Sequence, residues 1–130
     1  MDFKDTTPIY IQVAERICDC IQAGKYPENE RIPSVREFAA LVEVNANTVV
    51  RSYDYLQQLG TIYNKRGLGY FVSEGAGEII QNHRRDNFYK EYLPDFFHRI
   101  RVLSISMDDI NNRYSTYLEQ KEHDRTERNS

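Results

Sequence analysis

Two amphipathic helical stretches joined by a very short turn, within residues 31–60 (RIPSVREFAALVEVNANTVVRSYDYLQQLG), constrain the fold more than any other feature. Ser34 is a good N-cap, and Glu37 three residues later completes a capping box. Val35, Phe38, Ala39 and Val42 follow at helical spacing and form an inward face. Asn45 is a second N-cap residue, and the helix it opens runs to Leu59, where Gly60 can take the left-handed C′ position. At about 100° per residue, Val49, Ser52, Tyr53, Leu56 and Leu59 share one side of this second helix. Asn47, Thr48, Arg51, Tyr55 and Gln58 share the other. The outer side is expected to carry almost no aliphatic carbon and a row of hydrogen-bonding groups near the helix start. A helix that enters a major groove needs that arrangement, with its first turns offering donors and acceptors to base edges. An ordinary solvated face would also be polar, so the flanking segments decide between the two.

Immediately after Gly60 the period changes from helical to alternating. Residues 61–64 (TIYN) read as a short strand and residues 69–73 (GYFVS) as its partner. The turn between them, Lys65-Arg66-Gly67-Leu68, has two cations and a glycine at its tip. A polar tip is normal for any hairpin. Directly behind a helix-turn-helix it reads as a basic wing, able to reach a phosphate or the adjacent minor groove, where Gly67 lets the backbone come close.

Upstream, residues 1–7 are a polar lead-in. Pro8 suits a first helical turn with Thr7 as its cap, and a helix follows from Ile9 to about Ala23, before Gly24. Its apolar arc is Ile9, Tyr10, Val13, Ala14, Ile17, Cys20 and Ile21, with Ile11 and Cys18 at the far edge. An arc that wide predicts packing on more than one side. Cys18 and Cys20, the two cysteines of the chain, point about 160° apart on a helix. They fit small hydrophobes in a reducing compartment better than a shared metal or a bridge. Residues 25–31 (KYPENER) read as a loop.

Downstream, Gly75-Ala76-Gly77 reads as a flexible joint, followed by a helix from Glu78 to Tyr92. Pro94 marks either a kink or the first turn of a new helix to about Leu103. Ser106, with Asp109 at the third position after it, caps a last helix to about Gln120. Residues 122–130 alternate in charge and are expected to be a disordered tail. The inward candidates are Ile79, Ile80, Phe88, Tyr89, Tyr92, Leu93, Phe96, Phe97, Ile100, Leu103, Ile105, Ile110, Tyr114, Tyr117 and Leu118. About 50 residues cannot hide that much apolar surface alone, and a second copy of the chain is the economical cover. The expected architecture is mostly α with a small β-hairpin wing. Residues 1–74 form a winged helix-turn-helix and residues 75–121 a helical dimerisation region.

The chain has 130 residues and a formal net charge of −3, and residues 1–73 carry 8 Lys and Arg against 9 Asp and Glu. A nucleic-acid partner would have to be held by local placement of cations rather than by a basic field. No apolar run approaches the ~18 residues of a membrane span, and no signal-peptide pattern occurs, so a soluble cytoplasmic protein without a membrane role is expected. Neither a Gly-rich phosphate loop, nor a nucleophile with a base, nor clustered carboxylates are found, so no enzyme activity is expected. His83, His98 and His123 are scattered, so neither metal nor cofactor is expected.

Pro8-Ile9-Tyr10, Ile32-Pro33-Ser34-Val35-Arg36-Glu37, Val44-Asn45-Ala46-Asn47-Thr48-Val49 and Arg66-Gly67-Leu68-Gly69-Tyr70-Phe71-Val72 together resemble the GntR family of bacterial winged-helix transcriptional regulators. The resemblance covers roughly residues 8–73, and the short C-terminal part is similar to the YtrA-type subfamily, whose few helices mainly mediate dimerisation. It implies that Arg36 contacts DNA at the start of the second helix. It places Asn45, Asn47, Thr48 and Arg51 at recognition-helix positions, and Arg66 and Gly67 at the wing tip. Two positions depart from the pattern: Ala46 stands where proline is frequent, and Glu43 where glycine is common. If the turn keeps a positive φ at Glu43, the cost is of order 1 kcal/mol.

The expected partner is a double-stranded, roughly palindromic operator bound by a homodimer, with repression as the family default. Asn47 and Arg51 are the expected base readers, Arg36, Thr48 and Lys65 the expected phosphate contacts, and Arg66 suits groove or backbone. An unknown small-molecule effector between the C-terminal helices is a further candidate partner, through Tyr89, Tyr92, Phe96, Phe97, Tyr114 and Tyr117. The alternative to DNA binding is a winged-helix protein-interaction module that acts through its helical tail. The near-neutral charge and Glu43 favour that alternative.

Overall fold

The chain runs α1 (Ile9–Gln22), α2 (Val35–Val42), α3 (Ala46–Leu59), β1 (Ile62–Lys65), β2 (Gly69–Val72) and α4 (Ala76–Asn87) in the computed structural model, which describes residues 7–129. A π-helical turn (Phe88–Tyr92), α5 (Leu93–Val102) and α6 (Met107–Arg128) follow. All but Thr7 of the expected polar lead-in lies outside the described residues. One compact unit extends to Arg85 and a second begins at Asp86.

Both expected caps form. Ser34 Oγ accepts from the Glu37 amide at 3.1 Å while the Glu37 carboxylate accepts from the Ser34 amide at 3.0 Å, which satisfies two otherwise orphaned donors of α2. Asn45 Oδ1 accepts from the Asn47 amide at 2.8 Å, and Gly60 closes α3 at φ +85°. Pro8 is itself the N-cap of α1 rather than its first helical residue, and no side chain caps that end.

Glu43, the C-cap of α2, is left-handed at φ 56°, ψ 48°. This is the strained position at which glycine is the easier residue. Glu43→Gly is therefore expected to raise stability by about 1 kcal/mol, seen as a higher melting temperature by circular dichroism. A lower melting temperature would show that the Glu43 side chain contributes more than its backbone costs.

α1, α2 and α3 bury Ile17, Phe38, Val49, Tyr53 and Leu56, and the antiparallel hairpin adds Ile62 opposite Val72. Full burial of each such side chain is worth about 1.5–3 kcal/mol. The loop before α2 lies along the hairpin: the Ile32 amide donates to Tyr70 O at 2.9 Å and the Val72 amide to Glu30 O at 3.1 Å. The hairpin thus gains a third, irregular edge that the loop reading of residues 25–31 did not foresee. The apolar arc of α1 is rotated from the expected one, since Cys18 is buried while Ile9 is exposed and Cys20 half-buried. Burial, with Glu15 second, pushes the Cys18 thiol up to about 12, so it behaves as a small hydrophobe.

Gly75-Ala76-Gly77 is a fixed helix start and not a loose joint. Gly75 adopts φ +78° and its amide donates to Glu28 Oε1 at 2.8 Å, while Ala76 and Ile80 are buried. Arg84 then locks α4 onto α1. Its guanidinium donates to Glu15 Oε2 and Asp19 Oδ1, each at 2.8 Å, and to Gln22 Oε1 at 2.6 Å. These contacts hold the start of α4 to the winged helix, and the first compact unit extends to Arg85.

In the second unit the π-helical turn ends at Tyr92, two residues before Pro94, which lies in the first turn of α5. Proline lacks an N–H and crowds the carbonyl four residues back, and a wider turn accommodates both. Ser106 Oγ accepts from the Asp109 amide at 3.1 Å and opens α6 as expected. The helix does not stop near Gln120, and residues 122–128 are helical rather than disordered. That stretch contains two Glu and two Arg, which favour helix, and Thr126 Oγ1 donates back to Glu122 O. Among the described residues from 86 onward none is buried. Phe88, Tyr89, Tyr92, Phe97, Leu103, Tyr114, Tyr117 and Leu118, all expected inward, are exposed.

Candidate nucleic-acid interface

α3 packs against α1 and α2 through Val49, Ser52, Tyr53 and Leu56. Two polar links fix its rotation. Ser52 Oγ donates to Tyr10 O at 2.7 Å, and the Tyr53 hydroxyl donates to Pro33 O at 2.6 Å. With that side held, Asn47, Val50, Arg51, Asp54 and Gln58 are exposed on the other.

The expected base readers Asn47 and Arg51 are thus both at the surface, in the first half of the helix. Asn45 is exposed, with its Oδ1 engaged as the cap of α3. Thr48 is half-buried on the flank toward α1, and Arg36 stands exposed in the first turn of α2. Arg51 is not a loose arm, because its guanidinium lies over the Tyr10 ring at 4.2 Å from the centroid.

Tyr55 departs from its assignment to the outer row. It is half-buried, its hydroxyl pairs with His83 Nε2 at 3.0 Å, and its ring meets Tyr10 edge-on at 6.3 Å. Burial raises its pKa, with Glu15 second, so the phenol keeps its proton. Seven residues separate Thr48 from Tyr55, nearly two helical turns, so both fall on the flank that abuts α1. Two outer residues were not anticipated: Val50, 42% exposed, and Asp54. Val50 places aliphatic carbon on a face expected to have almost none.

At the wing, Lys65 ends β1 and pairs with Gly69, so the turn proper is Arg66, Gly67 and Leu68. The Leu68 amide donates to Lys65 O at 2.9 Å, and Gly67 sits at φ +78° with open space where a Cβ would be. Arg66, Gly67 and Leu68 are all exposed. Lys65 Nζ lies 4.6 Å over the Phe71 ring, which stacks on Tyr63. Arg31, which the sequence did not single out, lies against the base of the wing; a Cβ at Gly69 would meet its Nε at 2.9 Å. It also pairs with Glu37 at 3.7 Å, with both partners exposed.

A helix presenting an amide and a guanidinium, beside a hairpin whose tip is cationic and glycine-bearing, has the donor set that major-groove recognition with backbone positioning requires. Among the described residues no group of three His, Cys, Asp or Glu could hold a metal ion. No helix among them is long and apolar enough to cross a membrane.

The pattern of the bacterial regulatory proteins of the gntR family matches residues 9–72, from the start of α1 to the end of β2. Over 117 residues the chain is 31% identical to the HTH-type transcriptional regulator YhcF of Bacillus subtilis, covering 90% of this chain and 95% of that protein. It is 36% identical over 76 residues to the HTH-type transcriptional repressor YtrA of Bacillus subtilis, 58% of each chain. A crystal structure of a GntR-family transcriptional regulator from Bacteroides thetaiotaomicron superimposes with a TM-score of 0.80 at 47% identity, over 88% of this chain and 99% of that one. The likeness thus includes the C-terminal helices as well as the winged helix, and the chain belongs to the GntR family of DNA-binding transcriptional regulators.

Proposed function

We propose that this chain represses transcription in a bacterial cytoplasm by binding a roughly palindromic operator as a homodimer, each α3 in one major groove and each wing alongside. The observation that carries the reading is the simultaneous exposure of Asn47 and Arg51 on α3, opposite the residues that seat the helix. Amide and guanidinium groups pair bidentately with adenine and guanine edges, which makes these two the base readers. Arg36, Thr48, Lys65 and Arg66 hold backbone phosphates, and Gly67 lets the wing tip approach. Asn45 keeps the first turn of α3 in place. Tyr55 serves the packing of α3 and α4 and is not a DNA contact. Repression is supported by the name of the relative YtrA, and dimerisation by the exposed aromatic surface of the second unit. A shallow groove along α6 is lined by Tyr117 alone of the six candidate aromatics.

The test is selection of duplexes from a random DNA pool, followed by binding at several salt concentrations. Arg51→Ala is expected to lose about 1–3 kcal/mol at one base position. Lys65→Ala is expected to weaken all sequences alike and lower the salt slope by about one. Full-length protein that shows no salt-dependent retardation of any selected duplex would favour the interaction-module reading.

A further inference from the structure

Arg51 reaches the surface of α3 by lying on an aromatic floor, and that floor belongs to a different helix. Tyr10 of α1 has its ring centroid 4.2 Å beneath the Arg51 guanidinium carbon. Both its backbone and its ring are fixed. Its carbonyl accepts the Ser52 hydroxyl at 2.7 Å, which ties it to the same turn of α3 that carries Arg51. Its ring packs roughly perpendicular to Tyr55 at 6.3 Å between centroids, and Tyr55 is in turn held through its hydroxyl by His83 of α4 at 3.0 Å. The platform under Arg51 is therefore built from three helices of the first unit.

We infer that Tyr10 is a positioning residue for DNA recognition: its ring sets the plane and reach of the Arg51 guanidinium before DNA arrives. This rests on the reading of Arg51 as a base contact. A guanidinium reads guanine only when its plane is coplanar with the base edge. A free arginine on an exposed helix samples many rotamers and loses that freedom on binding. Stacking on a fixed ring removes part of that loss in advance, and the cation–π attraction holds the arm without occupying its N–H donors. The chemistry used is the ring face, so phenylalanine should substitute for Tyr10 and an aliphatic residue of similar bulk should not.

The test uses the full chain and one duplex, selected by the wild-type protein from a random pool, together with all single-base variants of that duplex. Tyr10→Leu is expected to bind the selected duplex about five- to tenfold more weakly, with the loss concentrated as weaker discrimination at the base pair that Arg51→Ala also relaxes. Tyr10→Phe is expected within about twofold of wild type at every position. In the Arg51→Ala background, Tyr10→Leu is expected to add nothing. Thermal melts of each variant separate this pattern from a change of fold, since a structural defect lowers binding to all duplexes alike and persists without Arg51. The inference is overturned if Tyr10→Leu is equally harmful in the Arg51→Ala background, or if Tyr10→Phe is as harmful as Tyr10→Leu. It is also overturned if only Arg51→Ala alters base preference, which leaves the reading of Arg51 intact. If Arg51→Ala itself changes no base preference, the reading of Arg51 and the inference built on it both fall.

Discussion

Tyr53→Ala is expected to lower the unfolding free energy by about 3–5 kcal/mol, most of what a small domain possesses. Tyr53 is fully buried. Its ring packs at 6.4 Å from Phe38 of α2 and edge-on at 4.9 Å from Tyr70 of β2. Its hydroxyl donates to Pro33 O at 2.6 Å, at the entry to α2. One side chain thus joins the recognition helix to the preceding helix, to the loop between them and α1, and to the wing. Removing the ring leaves a cavity at the meeting point of these elements. Tyr53→Phe keeps the ring and removes only the hydrogen bond to Pro33, so its cost should be nearer 1 kcal/mol. Urea unfolding followed by circular dichroism measures both. A loss below about 1 kcal/mol for the alanine variant would mean that the surrounding elements are held by other contacts.

The elements of the N-terminal part were legible because local chemistry and tertiary packing agree there. The Ser34 capping box, the Asn45 cap and the Gly60 stop each depend on residues within a few positions, and each forms where it was expected. The alternation after Gly60 was equally local: β1 is shifted by one residue from the expected 61–64, and β2 ends one residue before the expected Ser73. The anchoring of the segment after the wing was not legible. Glycine, alanine and glycine in succession have the composition of a linker, but their role depends on Glu28, 47 residues earlier, reaching the Gly75 amide. The anchoring of α4 depends likewise on Glu15 and Asp19 meeting Arg84. Charge alternation in the last residues suited disorder and helix alike, and only α6 running on from its Ser106 cap separates the two.

At the candidate site the periodicity of α3 gave the two sides but not their edges. Tyr55 and Thr48 lie close to the border between them, and a neighbouring helix decides on which side of the border they fall. Tyr10 in α1 and His83 in α4 claim Tyr55, and neither relation can be read from one helix. Val50 was overlooked for the opposite reason. An aliphatic residue beside Val49 looks like core, yet one step of about 100° carries it to the surface, where it lies 42% exposed.

Removal of the second unit, by ending the chain at Arg85, is expected to convert a dimer into a monomer and to weaken operator binding by about 10²- to 10⁴-fold. Residues 7–85 contain every buried side chain among the described residues, so the shortened chain keeps its core and its α3 surface. What it loses is a set of helices whose rings are paired mainly with one another, such as Phe88 stacked on Tyr92 and Phe96 tilted against Phe97. Tyr114, Tyr117 and Leu118 on α6 remain about half exposed or more. Apolar surface on that scale, in a segment with no buried residue among those described, supports the proposed homodimer, in which a two-fold pair of identical chains would cover it with one self-complementary patch. Two winged helices so joined bind a palindrome with the second contact made at high effective concentration, whereas separate ones must each bind from solution. Analytical ultracentrifugation should find the full chain at twice its 15.4 kDa mass and the shortened one at its own. A full chain that sediments as a monomer at micromolar concentration, or a shortened one that binds the palindrome as tightly as the full chain, would remove the second unit from the mechanism. Half-site duplexes distinguish loss of coupling from loss of fold: both chains should bind a single half-site with similar affinity, because Asn47 and Arg51 are present and equally exposed in each.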